Sequence, residues 1–463
     1  MLKTKSNILV HFVGIGGIGM SGIAEVLLSL GYKVSGSDVS DSPNIEKLKK
    51  LGAQVFIGHN GSNCLDATVM VYSSAINESN PEIRYAKKNN IPLMRRAEML
   101  AELMRLKHGL AVAGTHGKTT TTSFLATILQ ESDFDPTYII GGVVKNLDGH
   151  AKVGEGKYLV AEADESDGSF LLLNPIMSII TNIDNDHLDH YGSEEKLEEA
   201  FLEFANSVPF YGHCFLNYDD PKIKKLITKM RKPFVTFGMS EDETSEPPNY
   251  WAQNVSHSEL SSSFELYLDG EKVCQMTVPL PGDHNILNAL GAIAMTHQMG
   301  LDLKLIQRSI KKFDGVGRRF QKLFDNKKMK VVDDYGHHPT EIRETVKTAL
   351  SVAQGQDVIV VFEPHRYTRT RDCWKDFLHC FNGIKKLYVA PIYAASEKSL
   401  PGISTQGLVA DINRLHPNLS VEISDMHELG GILKKYAKKD CYVLTMGAGS
   451  IGRVVRDVVA EIS

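Results

Sequence analysis

At 463 residues the chain is too long for one hydrophobic core, and its length predicts about three domains. Its 42% apolar and 23% charged residues are ordinary for a soluble globular protein, and no apolar run approaches the length of a membrane span, so membrane insertion is not expected. A net charge of -5 shows no basic excess, which argues against nucleic acid as the principal partner.

The amino terminus is basic, but its apolar run passes straight into a glycine loop instead of a signal-cleavage site. Six cysteines lie far apart without zinc-ligand spacing and read as reduced thiols, so a cytoplasmic protein is expected. From Asn7 to Asp38 the strand ILVHFVG, a loop Gly14-x-Gly16-x-x-Gly19 with Gly17 inside it, an apolar helix through Leu30 and the strand KVSGSD make a βαβ unit. The pattern has the form of a dinucleotide fingerprint, Asp38 included. Its glycines let a diphosphate reach the helix N-terminus without showing which nucleotide carries it. The strand ATVMVYSSAI ends in Ser73 and Ser74, and RRAEML brings Arg95 and Arg96 to the edge of the unit, which closes near Lys107. Hydroxyls after a strand and paired arginines suit a charged ligand, although surface arginines are often simply solvated.

The second unit opens with LAVAGTHGKTTTTSFLAT, from Leu110 to Thr127: a buried strand, a glycine loop and the start of a helix. Gly114 and Gly117 permit the tight turn that aims amide N–H groups at phosphate oxygens, with Thr115 and His116 between them. Lys118 supplies the charge, and Thr119, followed by Thr120, stands where a P-loop hydroxyl ligates the magnesium of Mg-ATP. The usual spacing is not met, because Val112 stands where the longer motif has glycine. Four consecutive threonines open the helix poorly on propensity alone, so at least one hydroxyl is expected to act beyond packing. The strand KYLVAEADESD then places Glu162, Asp164, Glu165 and Asp167 at or beyond a strand end, as a magnesium site requires. The next strand, IMSIITNIDNDHLDHYG, is expected to end in Asp184, Asp186, His187, Asp189 and His190, a cluster able to hold a divalent ion, orient a nucleophile or cap a helix. EDETSEPP marks an exposed loop or the joint of a β-rich insertion, and PGDHNILNALGAI gives a helix opening near Asp283 with Asn285 and Asn288 on one face.

The third unit, from about Gly315, alternates strands and helices and predicts a parallel α/β sheet. Polar residues gather after its strands, where open α/β sheets place ligands: Asp333, Asp334, His337 and His338 in one loop, His365, Arg366, Arg369 and Arg371 in the next. Gly447-x-Gly449-x-x-Gly452 repeats the glycine spacing, but no acidic residue follows at the proper distance, which weighs against a second dinucleotide site.

Eight segments in order, VGIGGIGMSGIAEVL, AVAGTHGKTTTT, VAEADESDGSF, TNIDNDHLDHY, PGDHNILNALGAI, GVGRRFQ, VVDDYGHHPTEI and FEPHRYTRTRD, resemble those of the Mur ligases. The resemblance implies three α/β domains: an N-terminal Rossmann-like domain for a UDP-sugar over 1–107, a central P-loop ATPase-like parallel sheet over 108–314, and a C-terminal Rossmann-like domain for an amino acid over 315–463. It implies the substrates UDP-N-acetylmuramate, L-alanine and ATP with Mg2+, and a carboxylate activated as acyl phosphate before an amine attacks it. A relative that joins a tripeptide to the same sugar, and an NAD-dependent oxidoreductase built on the Gly14 loop and Asp38, are the alternatives. Carried over by position, Gly14, Gly16, Gly17, Gly19, Asp38, Ser73, Ser74 and Arg95 would meet the UDP-sugar. The loop Gly114 to Thr120 would cradle the ATP phosphates. Thr119, Glu162 and His187 would hold metal; His284 and Asn288 would contact adenine, Arg319 the ATP phosphates and Asp334 the ribose. Tyr335, His337, His365, Arg366 and Arg369 would form the amino-acid pocket, and Lys118, Glu162, His187 and Arg319 the catalytic set. The modified lysine that supports a second metal in some relatives is not expected, since EKLEEAFLEF has phenylalanine at the matching place.

Overall fold

The computed structural model describes residues 5–73, 76–147, 149–240 and 246–462. Three sheets carry the chain. In the first, the strands 54–57, 33–38, 9–13, 69–72 and 93–95 lie side by side in that order, and every neighbouring pair is parallel. The chain therefore runs outward in one direction from strand 9–13 and then returns to its other side. The loop Gly14 to Gly17 sits at that reversal, the place where open α/β sheets leave a crevice beyond their strand ends. Val10 and Phe12 are buried in the core, and the polar His11 between them is buried too, its Nδ1 2.8 Å from Ser35 Oγ.

The central sheet has ten strands, in the order 271–278, 262–268, 250–257, 234–238, 213–217, 177–180, 108–113, 158–162, 137–144 and 149–152. From 250–257 to 137–144 the pairings are parallel, and the last pair is antiparallel. Of the strands that follow the acidic loop, 250–257 continues the parallel sheet, and 262–268 and 271–278 stand beyond it in the same sheet. Of the acidic loop before them, 241–245 lies outside the described residues. Central strands 108–113 and 158–162 are buried nearly throughout, as parallel strands covered on both faces require.

The third sheet runs 321–325, 329–334, 441–446, 357–362, 386–389 and 420–423. Only its edge pair is antiparallel, and the last strand of the chain is threaded between 329–334 and 357–362. The chain divides into two compact units, one of Met1–Asn254, Glu265–Met276 and Leu287–Asp314, the other of Val255–Phe264, Thr277–Ile286 and Gly315–Ser463. All six cysteines are free thiols. Among the described residues no helix is long and apolar enough to cross a membrane.

Candidate active site

In the first unit, strand 108–113 ends in a loop whose shape its neighbours dictate. Gly114 adopts φ +133, and a Cβ there would collide with Thr181 Oγ1; Gly117 adopts φ +81 as the N-cap of helix Lys118–Gln130, and a Cβ there would strike the Asn288 amide. The loop is laced to the segment after strand 177–180: Thr115 N donates to Asn182 O at 3.2 Å, His116 N to Asn182 Oδ1 at 2.8 Å, and Thr181 Oγ1 to His116 O at 2.5 Å. Thr115 Oγ1 accepts from Asp184 N at 2.9 Å, and His116 Nε2 lies 3.0 Å from Asp184 Oδ2. The run of hydroxyls is mostly accounted for. Thr119 Oγ1 donates to Glu162 Oε2 at 3.2 Å, Thr121 Oγ1 to Asn288 Oδ1 at 3.2 Å, and Thr122 and Ser123 to carbonyls one turn back. Thr120 is buried.

The carboxylates after strand 158–162 go to three different partners. Glu162 faces Thr119 and also accepts from Gly141 N at 2.6 Å; Asp164 pairs with Arg96 at 2.9 Å; Glu165 takes Lys118 Nζ on both oxygens, at 2.7 and 2.9 Å. Burial pushes Glu165 up to about 7, against the opposing pull of Lys118. Burial likewise disfavours the Lys118 ammonium, but the charges of Glu165, Asp164 and Glu162 outweigh it and hold Lys118 above the ordinary lysine value. His187, in the left-handed region at φ +59, opens the short helix Leu188–Tyr191, with Nε2 3.6 Å from Asp186 Oδ2 and 4.0 Å from Glu165 Oε1. Thr119 and Glu162 thus present two hard oxygen donors to one point, and such donors suit magnesium.

At the first glycine loop, Asp38 Oδ2 accepts from Gly16 N at 2.9 Å and its Oδ1 from Val39 N at 2.8 Å. Asp38 therefore shapes the loop. Ser73 Oγ lies beside Gly14, and a Cβ on Gly19 would meet the Arg96 side chain. Ser74 lies outside the described residues. A cavity of about 360 Å³ opens next to this loop, lined among others by Tyr72, Arg95, Arg96, Asp167, Ser169 and His190. Ser169 Oγ is buried there without a hydrogen-bond partner, which a ligand hydroxyl or carbonyl would correct.

The second unit gathers the residues expected around the amino acid. Tyr335 and His337 meet edge to face at 5.4 Å, His337 and His365 at 5.7 Å, and His365 stacks on Tyr393 at 5.6 Å. Arg318 and Arg319 lie over the Tyr335 ring at 5.0 and 5.2 Å, and Arg369 Nη1 is 3.4 Å from His365 Nδ1. Arg366 holds φ +70, a conformation that costs energy outside glycine, and donates its N–H to Tyr393 O at 2.8 Å. Burial drives His337 and His365 down to about 4, helped for His365 by His337, Arg369 and Arg366. With His365 held neutral, the positive charge of the loop after strand 357–362 at neutral pH comes from its arginines, Arg366 and Arg369 among them.

Asp334 is turned inward, its carboxylate accepting from Phe320 N and Gly336 N, both at 2.7 Å. With Asp333, which pairs with Arg318 at 3.1 Å, it clamps the turn that presents Arg319. His284 Nδ1 is buried without a partner, while Asn288, in the first unit, packs its amide on Gly117. The C-terminal glycine motif is explained without an anion: Glu363 accepts from Ile451 N at 2.9 Å and Ser450 Oγ at 2.6 Å, so the helix N-terminus already holds a carboxylate.

Family models match the chain along most of its length: the Mur ligase family catalytic domain over residues 9–108, the Mur ligase middle domain over 112–296, and the Mur ligase glutamate ligase domain over 318–449. The chain belongs to the Mur ligase family. Among curated relatives, a UDP-N-acetylmuramate–L-alanine ligase of Solidesulfovibrio magneticus is 46% identical over 96% of each chain, and one of Geotalea daltonii is 44% identical over 98% of each. The crystal structure of a UDP-N-acetylmuramate-alanine ligase of Thermotoga maritima superposes with a TM-score of 0.83 at 29% identity, covering 98% of this chain and 99% of that one. A murein peptide ligase of Psychrobacter arcticus has a TM-score of 0.71 at 22% identity over 98% of each chain, and shares the fold. This Mur ligase is accordingly an ATP-dependent, amide-bond-forming enzyme of peptidoglycan synthesis with three α/β domains. Several of its polar contacts were not legible in advance. Glu165 was one of four acids in a row with nothing to single it out, and Ser169 and Tyr393 carried no motif signal. The arginine pair at 95 and 96 was read as suiting a charged ligand, and the pairing of Arg96 with Asp164 was not foreseen.

Proposed function

We propose that this Mur ligase joins L-alanine to the lactyl carboxylate of UDP-N-acetylmuramate, with ATP supplying the phosphoryl group, the first amino-acid addition to the peptidoglycan precursor. The observation that carries this reading is the near full-length identity of 44–46% to ligases of that name, together with the phosphate loop around Lys118. In the proposed division of labour, 1–107 takes the UDP-sugar, 108–314 the ATP and 315–463 the amino acid.

A carboxylate is a poor electrophile at neutral pH, and phosphorylating it creates a leaving group. Lys118 and the loop Gly114 to Thr120 would hold the ATP phosphates, and Arg319, presented by the Asp333–Asp334 clamp, would add a second fixed cation. Thr119 and Glu162, with His187 at a second position, are the side chains that would hold magnesium, which when bound neutralises charge on the transferring phosphate. The orphan Nδ1 of His284 fits an adenine contact. For Asn288 and Asp334, the expected adenine and ribose contacts would act beside their loop-holding bonds. Gly14, Gly16, Gly17, Gly19, Asp38, Ser73, Ser74 and Arg95 would surround the UDP-sugar, with Ser169 added at the cavity wall. Arg366 and Arg369 would take the carboxylate of alanine, while Tyr335, His337 and His365, the histidines neutral, would close the pocket around it.

Phosphate release measured with UDP-N-acetylmuramate and ATP against L-alanine, glycine, L-serine and a tripeptide with a free amino terminus tests the proposal. L-alanine is expected to give the highest kcat/KM. A higher value for the tripeptide would move the protein to the murein-peptide ligase class. Purified protein carrying bound NAD would instead favour the oxidoreductase.

A further inference from the structure

Glu165 lies outside every role assigned above, yet it binds the phosphate-loop lysine from both of its oxygens. The same ammonium also donates to Gly114 O at 2.5 Å and Thr115 O at 3.2 Å. A lysine has three protons, and here the protein's own acceptors engage all of them. Glu165 is 1% exposed and pinned from the far side, because Tyr191 Oη donates to its main-chain oxygen at 2.5 Å. Neither partner can simply swing into solvent. Lys118 can reach a nucleotide only by exchanging carboxylate oxygens for phosphate oxygens.

We propose that Glu165 is a positioning residue, the resident counter-ion of Lys118, and that nucleotide affinity is set by competition between its carboxylate and the incoming phosphates. The neighbouring acids are committed elsewhere: Glu162 faces Thr119 and Asp164 pairs with Arg96. Their charges also act on Lys118, but the carboxylate oxygens that phosphate must displace from its ammonium are those of Glu165. Glu165 keeps the ammonium aligned along the loop before ATP arrives, and it weakens the hold of lesser anions that offer fewer oxygens than a polyphosphate. The inference rests on reading Gly114 to Thr119 as the ATP-phosphate site.

Calorimetric titration of the full-length protein with MgADP tests it, using wild type, Glu165→Gln and Glu165→Asp. Gln keeps the shape and one acceptor but removes the charge, so MgADP should bind about tenfold more tightly. KM for ATP should fall in parallel while KM for the UDP-sugar stays unchanged, a split that general damage to the fold would not produce. Asp keeps the charge but draws it back by one methylene, and should tighten binding by about two- to threefold. Unchanged or weaker MgADP binding by a Gln variant with wild-type circular dichroism overturns the proposal. So does an Asp variant that matches wild type while Gln tightens, since the charge would then act at large and not through its grip on Lys118. If Gln fails to fold, the Asp result decides alone. A wild-type protein that binds no MgADP removes the ATP reading together with the inference; normal wild-type binding without a variant effect removes the inference alone.

Discussion

At the scale of single residues, Lys118 has the most at stake. On the proposed reading Lys118→Ala takes one fixed positive charge from the transferring phosphoryl group, and it should lower kcat by on the order of a hundredfold or more. It also strands Glu165, and breaking a buried pair costs about 3–5 kcal/mol, so the melting temperature should fall as well. Near-normal turnover in a folded Lys118→Ala protein would show that the phosphates lie elsewhere. Ser169 gives a finer test of the cavity beside the first glycine loop: Ser169→Ala should raise KM for UDP-N-acetylmuramate several-fold, about 1 kcal/mol for one lost hydrogen bond, with KM for ATP unchanged. His337 and His365 predict an absence of pH dependence. Both are held down to about 4, so KM for L-alanine should be flat from pH 6 to 8, and an inflection near 6.5 would contradict their burial. Because their folded values lie below the unfolded 6.5, the stability they contribute is complete above pH 6.5 and is lost as pH falls toward 4. The placement of side chains that follow a strand and a glycine was legible at this scale: Lys118 opens the helix after the loop, and Thr119 faces Glu162. Partnerships made across loops were not: the sequence could place Asp334 after a strand, but not show that its oxygens are spent on Phe320 N and Gly336 N.

At the scale of elements, a pair of helix and strand in the N-terminal sheet carries a buried charge that no motif announced. Glu82, in the first turn of helix Pro81–Lys88, is fully buried and accepts from Ser37 Oγ at 2.5 Å and Asn63 Nδ2 at 2.7 Å, with His59 Nδ1 at 3.2 Å. Burial alone would raise its carboxyl, but the nearby His11, with Nε2 3.9 Å away, and hydrogen bonds from Ser37 and Asn63 outweigh it and hold the group at about 2. A depressed carboxylate contributes stability that is present above its unfolded value of 4.5 and lost as pH falls through 2, here about 3 kcal/mol in all. Glu82→Gln should therefore flatten the loss of stability between pH 4.5 and 2 in urea melts, and an unchanged acid profile would refute the assignment. Elements were otherwise read well wherever an apolar run met a glycine or an acid, as in strands 9–13, 108–113 and 441–446. They were missed where burial is partial, as in the edge strand QKLFD at 321–325, whose residues are half-exposed or exposed and show no clear period. Strand ends were misplaced where the backbone leaves the sheet for other work. The strand read through Asp184 stops at Ile180, because beyond it Asn182 serves the phosphate loop through its main-chain and side-chain oxygens.

At the scale of the whole molecule, the expected machinery is divided between the two compact units. Lys118, Thr119, Glu162, His187 and the sugar-side cavity belong to the first, while Arg319, Tyr335, His337, His365, Arg366 and Arg369 belong to the second. Units with separate cores need not melt together, so calorimetry of the free protein should resolve two transitions. A ligand that binds only folded protein stabilises it by RT ln(1 + [L]/Kd), about 2.7 kcal/mol at a hundredfold excess over Kd. For a unit of this size that raises the melting temperature by roughly 5 °C. UDP-N-acetylmuramate alone should move one transition by that amount and leave the other in place, whereas MgATP should move both if Lys118 and Arg319 share one nucleotide. The same scan on Arg319→Ala separates the two sources of a shared shift: the first transition should still respond to MgATP, and the second should not. If UDP-N-acetylmuramate moved both transitions equally, or if MgATP left the second transition untouched in the wild type, the assignment of the sugar to the first unit, or of Arg319 to the nucleotide, would have to be given up.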